Sequence, residues 1–252
     1  MREDTYPRGL TILKGAVPGL ARGLGHTAPT YFVGFPGSQS HGHRGPAQIF
    51  FSKERSSVTT ASAAAKEDLR QAALSRRREL EPAARTKFGQ RLAVEGLRLA
   101  KGLSARAISA FYPVRDEPDT LPLLAALAEA GFLTLLPITI ARGAPLVFRA
   151  WRPGEPTKTG AMKIPEPPES ARAVDPDLLF VPLACFDRTG HRIGYGAGHY
   201  DRTLRALRAK GRVIAVGVAF GVAECPATPF GAHDERLDFV LTDTELIDCG
   251  AG

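Results

Sequence analysis

Short apolar segments alternate with helical patterns along most of this chain, and this alternation restricts the folds that it can adopt. Strands interleaved with helices predict an α/β fold with a largely parallel sheet covered on both faces. We therefore expect a single three-layer domain over residues 63–252, with helices flanking the sheet. The predicted strands cover residues 106–112, 132–138, 146–151, 178–183, 212–220 and 239–242, and the predicted helices cover residues 63–80, 82–101, 119–130 and 199–210.

Local signals support several of these boundaries. Pro82 suits the first turn of a helix, and Asp119 can cap the helix that Gly131 ends. Residues 178–183 are apolar without interruption, which is typical of a strand buried on both faces of a sheet.

Residues 1–62 differ in composition from the rest of the chain. They contain nine glycines, five prolines and three histidines, with no sustained helical or strand period. We interpret this segment as a disordered N-terminal extension with no function of its own. A transit peptide and a start codon assigned too far upstream are compatible alternatives.

Composition excludes several classes of protein. The longest nearly uncharged apolar run, residues 213–223, has 11 residues, whereas a membrane-spanning helix needs about 20. The first thirty residues lack the apolar core of a secretory signal, and the three cysteines show no metal-binding spacing. We therefore expect a cytoplasmic protein with no membrane partner.

The formal net charge of +7 raises the alternative of a basic nucleic-acid-binding regulator. Residues 1–62 hold seven lysines or arginines and three acids, so they contribute +4 of that charge. The remaining domain is only mildly basic and has no recognisable nucleic-acid-reading motif. We therefore expect no nucleic-acid partner.

The segment with the most chemical information is residues 181–202, VPLACFDRTGHRIGYGAGHYDR. An apolar strand leads into glycines at positions 194, 196 and 198 and then into a helix with Asp201 in its first turn. Glycine lets backbone N–H groups approach an anion, and a helix N-terminus adds further donors. The segment is not a dinucleotide fingerprint, because His199 stands where its last glycine would be. Spacing alone leaves a phosphate cradle and a plain strand-to-helix turn equally open.

As a whole, this segment resembles the signature of the 5-formyltetrahydrofolate cyclo-ligases (methenyltetrahydrofolate synthetases). The other motifs follow in that family's order, and the resemblance covers roughly residues 63–245. They are Lys66-Glu-Asp-Leu-Arg70, Phe111-Tyr-Pro-Val-Arg-Asp-Glu117-Pro-Asp119-Thr120, Trp151 with Lys163-Ile-Pro-Glu-Pro167, and His233-Asp-Glu-Arg-Leu-Asp238.

The resemblance implies a ligase that uses Mg²⁺ and ATP to convert 5-formyltetrahydrofolate to 5,10-methenyltetrahydrofolate, releasing ADP and phosphate. We expect the protein to be a monomer, although the sequence itself does not give the oligomeric state. The formyl oxygen would be phosphorylated, so the reaction needs no covalent nucleophile from the protein. Its demands are positioning and charge neutralisation. A family member that has diverged to another ATP-dependent or binding role is the main alternative.

The resemblance also implies roles for individual residues. The expected ATP contacts are Lys66, Arg70, Arg192, Gly194, Tyr195, Gly196, Ala197, Gly198, His199 and Tyr200. The expected folate contacts are Tyr112, Glu117, Tyr195 and His199, and the expected Mg²⁺ ligands are Asp201 and Asp234.

Each role has a structural alternative, such as a solvated helix face for Lys66 and Arg70. Two positions depart from the family pattern. His199 replaces the usual aromatic residue, and Ala197 stands where some members have lysine.

Overall fold

The computed structural model describes the backbone of residues 54–250 and the side chains of residues 63–250. Most of the expected extension, residues 1–53, lies outside the described residues. The first helix, α1, spans Glu54–Arg78, so it begins earlier than the predicted start at Ala63. Once a helix is nucleated, each further residue adds a backbone hydrogen bond without a new nucleation penalty, which explains a helix longer than its apolar pattern.

The secondary structure follows the predicted alternation. The helices are α1 (Glu54–Arg78), α2 (Pro82–Gly102), α3 (Leu121–Glu129) and α4 (His199–Arg208), with a 3-10 turn at Gly221–Ala223. The strands are β1 (Ala107–Ser109), β2 (Leu133–Ile138), β3 (Val147–Ala150), β4 (Lys158–Thr159), β5 (Pro165–Glu166), β6 (Leu178–Pro182), β7 (Cys185–Phe186), β8 (Arg192–Ile193), β9 (Ile214–Val218), β10 (Phe239–Leu241) and β11 (Leu246–Asp248).

The main sheet has seven strands in the order β11-β10-β9-β6-β1-β2-β3. The five central strands are parallel, and the edge strands β3 and β11 each pair antiparallel with their neighbour. The predicted largely parallel sheet is confirmed. In sheets of this kind, ligands bind beyond the carboxyl ends of the strands, which places the loops after β1, β2 and β6 at the expected site.

Strand β6 shows why the domain has three layers. Its alternate side chains, Leu178 and Phe180, belong to the apolar cluster that includes α2 and α3. Leu179 and Val181 belong to the cluster on the opposite face, which includes α4. A strand buried on both faces needs apolar side chains throughout, which is why this segment has no polar alternation.

The structure shows what Asp119 and Gly131 do at the two ends of α3. The N-cap position of α3 is occupied by Thr120, one residue after the predicted Asp119. The Asp119 Oδ1 atom still accepts a hydrogen bond from the Leu121 N–H, the first of the helix, at 3.0 Å. Gly131, just after α3, has a φ of 87°, a left-handed conformation that favours glycine.

Two hairpins and an edge strand were missed by the sequence analysis. β4 pairs with β5, β7 pairs with β8, and β11 forms one edge of the main sheet. Strands of two or three residues are too short to show an alternating pattern. The predicted strand at 106–112 is likewise shorter in the structure, because only Ala107–Ser109 pairs within the sheet.

Candidate functional site

A cleft of about 510 Å³ lies at the carboxyl ends of β1, β2 and β6. α1, the loop before α4 and the first turn of α4 also contribute to its walls. Most of the predicted site residues line it, namely Tyr112, Glu117, Arg192, Gly194, Tyr195, Ala197, Gly198, His199, Tyr200 and Asp201. Of the other predicted residues, Arg70 bonds the lining residue Gly194, and Gly196 lies between Tyr195 and Ala197 in the chain. Lys66 and Asp234 pair with each other, and Glu235, next to Asp234, bonds the lining residue Asp201.

The glycine loop has two positions that need glycine and one that does not. Gly196 and Gly198 have φ angles of 91° and 64°, in the left-handed region. A Cβ atom at Gly198 would also lie 3.0 Å from Arg202 Nη1. Gly194 has ordinary backbone angles and open space around it, so the backbone itself does not require glycine there.

Gly198 directly precedes α4 and occupies its N-cap position, without a side-chain capping bond. The first backbone N–H groups of a helix have no partner within the helix, and the helix dipole makes this end partly positive. Since Gly198, His199 and Tyr200 all line the cleft, this end of α4 provides donors for an anion.

Helix α1 brings two cations to the glycine loop. The Arg70 Nε atom donates to the Gly194 carbonyl oxygen at 2.7 Å, and a Cβ atom at Gly196 would lie 3.9 Å from Arg70 Nη2. One turn earlier, Lys66 forms an ion pair with Asp234 in the loop before β10. The structure therefore brings together the α1 motif, the glycine loop and the C-terminal motif.

The two predicted metal ligands, Asp201 and Asp234, each form an ion pair with a basic side chain. Asp201 Oδ1 accepts hydrogen bonds from Arg192 Nη2 at 2.9 Å and from the Glu235 N–H at 3.1 Å. Glu235 is the residue after Asp234, so the two predicted ligands lie in neighbouring segments. Asp234 Oδ2 accepts from Lys66 and from the Gly231 N–H. In the part of the chain that the structure describes, no group of three or more histidine, cysteine or acidic residues is arranged to hold a metal alone.

His199 is oriented by the loop before β3. Its Nδ1 atom lies 2.9 Å from the Ala144 carbonyl oxygen, which can only accept, so Nδ1 carries the hydrogen. The Nε2 atom is then the ring nitrogen that can meet a ligand. The neighbouring Tyr200 has a raised pKa because its hydroxyl is buried, which keeps it protonated.

The opposite side of the cleft contains a partly buried carboxyl group, Glu117. Its Oε2 atom accepts from the Val114 N–H at 3.0 Å. Burial raises the pKa of Glu117, and this effect outweighs the opposing influence of Tyr195 and the Val114 N–H. Nearby, the Tyr112 ring packs edge-on against Trp151, with ring centroids 6.3 Å apart.

The sequence analysis missed Arg77, which connects these elements. This α1 residue is 4% exposed, and it donates to both carboxylate oxygens of Asp116 and to the Tyr195 hydroxyl. Arg77 follows Arg70 by seven residues and Lys66 by eleven, so all three share one face of the helix. This helical spacing could have identified Arg77 as a site residue from the sequence alone.

The cleft wall between these polar groups is largely apolar. Such a surface suits a flat ring system whose polar edge meets Glu117. The apolar lining residues are Leu74, Phe111, Val114, Pro137, Leu146, Met162, Ile164 and Pro165.

Among the residues that the structure describes, no helix combines the length and the apolar composition needed to cross a bilayer.

Comparison with known protein families confirms the resemblance drawn from the motifs. The model of the 5-formyltetrahydrofolate cyclo-ligase family matches residues 62–243. The chain is 36% identical over 185 residues to the 5-formyltetrahydrofolate cyclo-ligase of Mycolicibacterium smegmatis, covering 70% of this chain and 93% of that protein. It is 35% identical over 176 residues to the Escherichia coli protein of the same name, covering 68% and 96%.

Solved structures agree with this match. An NMR structure of 5,10-methenyltetrahydrofolate synthetase from Aquifex aeolicus superimposes with a TM-score of 0.60 at 25% identity, covering 74% of this chain and 94% of that one. The 5,10-methenyltetrahydrofolate synthetase of Mycoplasma pneumoniae gives a TM-score of 0.57 at 18% identity, covering 71% and 98%, and supports the fold.

Proposed function

Since the chain belongs to the 5-formyltetrahydrofolate cyclo-ligase family, we propose that ATP and 5-formyltetrahydrofolate meet in the cleft at the carboxyl ends of β1, β2 and β6. The enzyme is a ligase that uses ATP to convert 5-formyltetrahydrofolate to 5,10-methenyltetrahydrofolate. The observation that carries the proposal is that one cleft joins an end suited to anions to an apolar end with a partly buried carboxyl group, Glu117.

The ATP phosphates bind at the glycine loop and the N-terminus of α4. Backbone N–H groups of the loop contact the phosphate oxygens because Gly196 and Gly198 present no side chain there. Arg70 is held beside the loop by its bond to the Gly194 carbonyl, so its charge is available to the phosphates. Arg192 lies at the same end of the cleft.

Mg²⁺ fits beside these phosphates when the nucleotide completes its ligands. Among the described residues, the side-chain hydrogen bonds to Asp201 end on Oδ1 and those to Asp234 end on Oδ2, which leaves the second oxygen of each carboxylate for a cation. Mg²⁺ is commonly held by one or two carboxylates together with substrate phosphates and waters. When bound, the ion would neutralise charge on the γ-phosphoryl group.

The folate ring binds at the other end of the cleft. The Glu117 carboxylate accepts hydrogen bonds from N–H groups on the ring edge, and the ring packs between aromatic and apolar side chains such as Tyr112 and Tyr195. Partial burial of Glu117 strengthens such bonds, because a hydrogen bond is electrostatically stronger away from bulk water.

This arrangement suits a reaction that depends on positioning. The formyl oxygen attacks the γ-phosphorus, an O–P bond forms, and the bond to the leaving ADP breaks. Nitrogen 10 of the folate then attacks the activated formyl carbon, the ring closes and phosphate leaves. The protein contributes alignment of the two substrates and fixed positive charge, so no side chain needs to become covalently attached.

The test is the formation of methenyltetrahydrofolate, followed by its absorbance, from 5-formyltetrahydrofolate and the purified full chain. Product should form only when Mg²⁺ and ATP are both present. Product without ATP, or with equal rate after chelation of Mg²⁺, would contradict the proposal.

The three cysteines are free thiols, so we place this reaction in the reducing cytoplasm.

A further inference from the structure

Two of the three cysteines, Cys185 and Cys225, form a buried sulfur pair. Their Sγ atoms lie 3.0 Å apart although the residues are 40 positions apart in the sequence. Cys185 is in β7, and Cys225 follows the 3-10 turn after β9. The Cys225 N–H donates to the Phe186 carbonyl oxygen at 2.9 Å, so backbone bonding holds the two sulfurs side by side.

The sulfur pair lies beneath the elements that form the anion-binding end of the cleft. Both cysteines belong to a small buried cluster with Ala73 of α1 and Ile193 of β8. Ile193 pairs with Cys185 across the β7–β8 hairpin, and Arg192 is its neighbour in β8. A change at the sulfur pair therefore acts directly on the packing of α1 and β8.

The two thiols differ in reactivity. The hydrogen bond between them lowers the pKa of Cys225 against the opposing effect of burial, and the same bond raises the pKa of Cys185. Cys225 is 6% exposed, whereas Cys185 is fully buried. The Cys225 sulfur also donates a hydrogen bond to the Phe186 carbonyl oxygen at 3.2 Å. Since Cys225 is the more exposed of the two, its sulfur is the one that a small oxidant reaches first, and Cys185 is the adjacent resolving thiol.

We propose that Cys185 and Cys225 are a redox modification site, at which a peroxide closes a reversible intramolecular disulfide. Cys225 gives up its thiol proton and its sulfur attacks one oxygen of hydrogen peroxide, the O–O bond breaks, Cys225 becomes a sulfenic acid and the released hydroxide takes up that proton. The Cys185 sulfur then attacks the sulfenic sulfur, so the S–S bond forms and the S–O bond breaks. Two thiols lose two electrons and two protons, and one peroxide becomes two waters.

Closure of the disulfide changes the packing of the two sulfurs against α1. A disulfide bond is about 2.0 Å long, so the sulfurs at 3.0 Å must approach by roughly 1 Å. Because the sulfurs pack against Ala73 of α1 and Ile193 of β8, this approach must change the packing of two elements that carry the proposed nucleotide site. We therefore expect the oxidised protein to bind ATP more weakly than the reduced protein. This second part rests on the proposed nucleotide site, whereas formation of the disulfide does not.

The disulfide is tested on the reduced full chain, treated with hydrogen peroxide, denatured and alkylated, with intact mass and peptide mapping as the measurements. We expect the mass of two hydrogens to be lost, a peptide crosslink between Cys185 and Cys225, and one alkylated thiol, Cys249, instead of three. Cys249 is an internal control, since burial raises its pKa to about 12. Three alkylated thiols after treatment, a crosslink through Cys249 or a crosslink between two chains would overturn the proposal.

Matched variants and a binding measurement complete the test. Cys249→Ser should still form the crosslink, and Cys225→Ala should retain two alkylated thiols under the same treatment. ATP dissociation constants are then compared for reduced, oxidised and re-reduced wild-type protein. Equal constants in all three forms would refute the link to the nucleotide site, whereas a reduced protein that does not bind ATP would instead contradict the proposed function.

Discussion

Arg77 binds Asp116 through two hydrogen bonds, Nε to Oδ2 at 3.0 Å and Nη2 to Oδ1 at 3.2 Å. This ion pair joins α1 to the loop after β1, next to Glu117. A third bond, from Arg77 Nη1 to the Tyr195 hydroxyl at 2.9 Å, joins the same helix to the glycine loop. One buried guanidinium therefore joins the proposed folate end of the cleft to its proposed phosphate end.

We expect Arg77→Met to destabilise the protein by about 3 kcal/mol or more, because removing one partner leaves the other charge poorly compensated in a mostly buried place. The Arg77 and Asp116 side chains are 5% and 16% exposed. The measurement is the free energy of unfolding from denaturant titration.

The matched control for that measurement is Arg188→Met. Arg188 also pairs with carboxylates, those of Glu224 and Glu245, but its side chain is 54% exposed. An exposed pair of this kind contributes less than about 1 kcal/mol. Equal losses in the two variants would show that Arg77 does not have the central structural role described.

A side chain at Gly196 should weaken ATP binding by the glycine loop. Its φ of 91° is strained for any other residue, at a cost of about 1–2 kcal/mol, and a methyl group there would also project from the proposed phosphate cradle. We expect Gly196→Ala to raise the KM for ATP roughly tenfold, since about 1.4 kcal/mol corresponds to that factor.

Gly211→Ala is the control for this loop. Gly211 follows α4, has ordinary backbone angles and has open space around its Cα, far along the chain from the loop. The Gly211→Ala variant should have the same KM for ATP as the wild-type protein. If Gly196→Ala also binds ATP normally while folded, the loop is a structural turn and not a phosphate cradle.

Folate binding should depend on pH through Glu117. Burial raises the pKa of this carboxyl group above its ordinary value of 4.5, so protonation begins at a higher pH than for an exposed glutamate. Protonation removes the negative charge that attracts ring N–H groups. We therefore expect the affinity for 5-formyltetrahydrofolate to fall as the pH decreases through this raised pKa.

The pH dependence is measured as folate dissociation constants for wild type and Glu117→Gln across the acid range. The Gln variant should bind weakly at every pH and lack the wild-type decrease. An identical pH profile in the two proteins would assign the titration to another group.

The sequence predicted the fold well where a residue acts locally. Asp119 bonds the first N–H of α3, and Gly131 adopts the left-handed angle, because both features depend on a few neighbouring atoms. The sequence could not show that Arg192 pairs with Asp201, because that contact depends on how β8 packs against α4. For the same reason the Nδ1 bond of His199 to Ala144 was not predictable, since it joins residues 55 positions apart.

The family motifs supplied the candidate site before the geometry was known. They did so residue by residue, so a residue outside the quoted motifs, such as Arg77, was missed. Helical spacing with Arg70 placed it on the same face of α1, but a charged helix face is usually solvated. Only the packing of Asp116 and Tyr195 over that face shows that Arg77 is buried.

The central claim is that the two ends of the cleft bind different substrates, and the most direct measurement is a two-by-two comparison of binding by Glu117→Gln and Asp201→Asn. Glu117→Gln should weaken 5-formyltetrahydrofolate by about 1.5–3 kcal/mol, the contribution of a hydrogen bond to a charged group, and leave Mg²⁺-ATP binding unchanged. Asp201→Asn should weaken Mg²⁺-dependent ATP binding and leave folate affinity unchanged. Equal weakening of both ligands by Glu117→Gln, or an Asp201→Asn protein with unaltered Mg²⁺ dependence, would contradict the account.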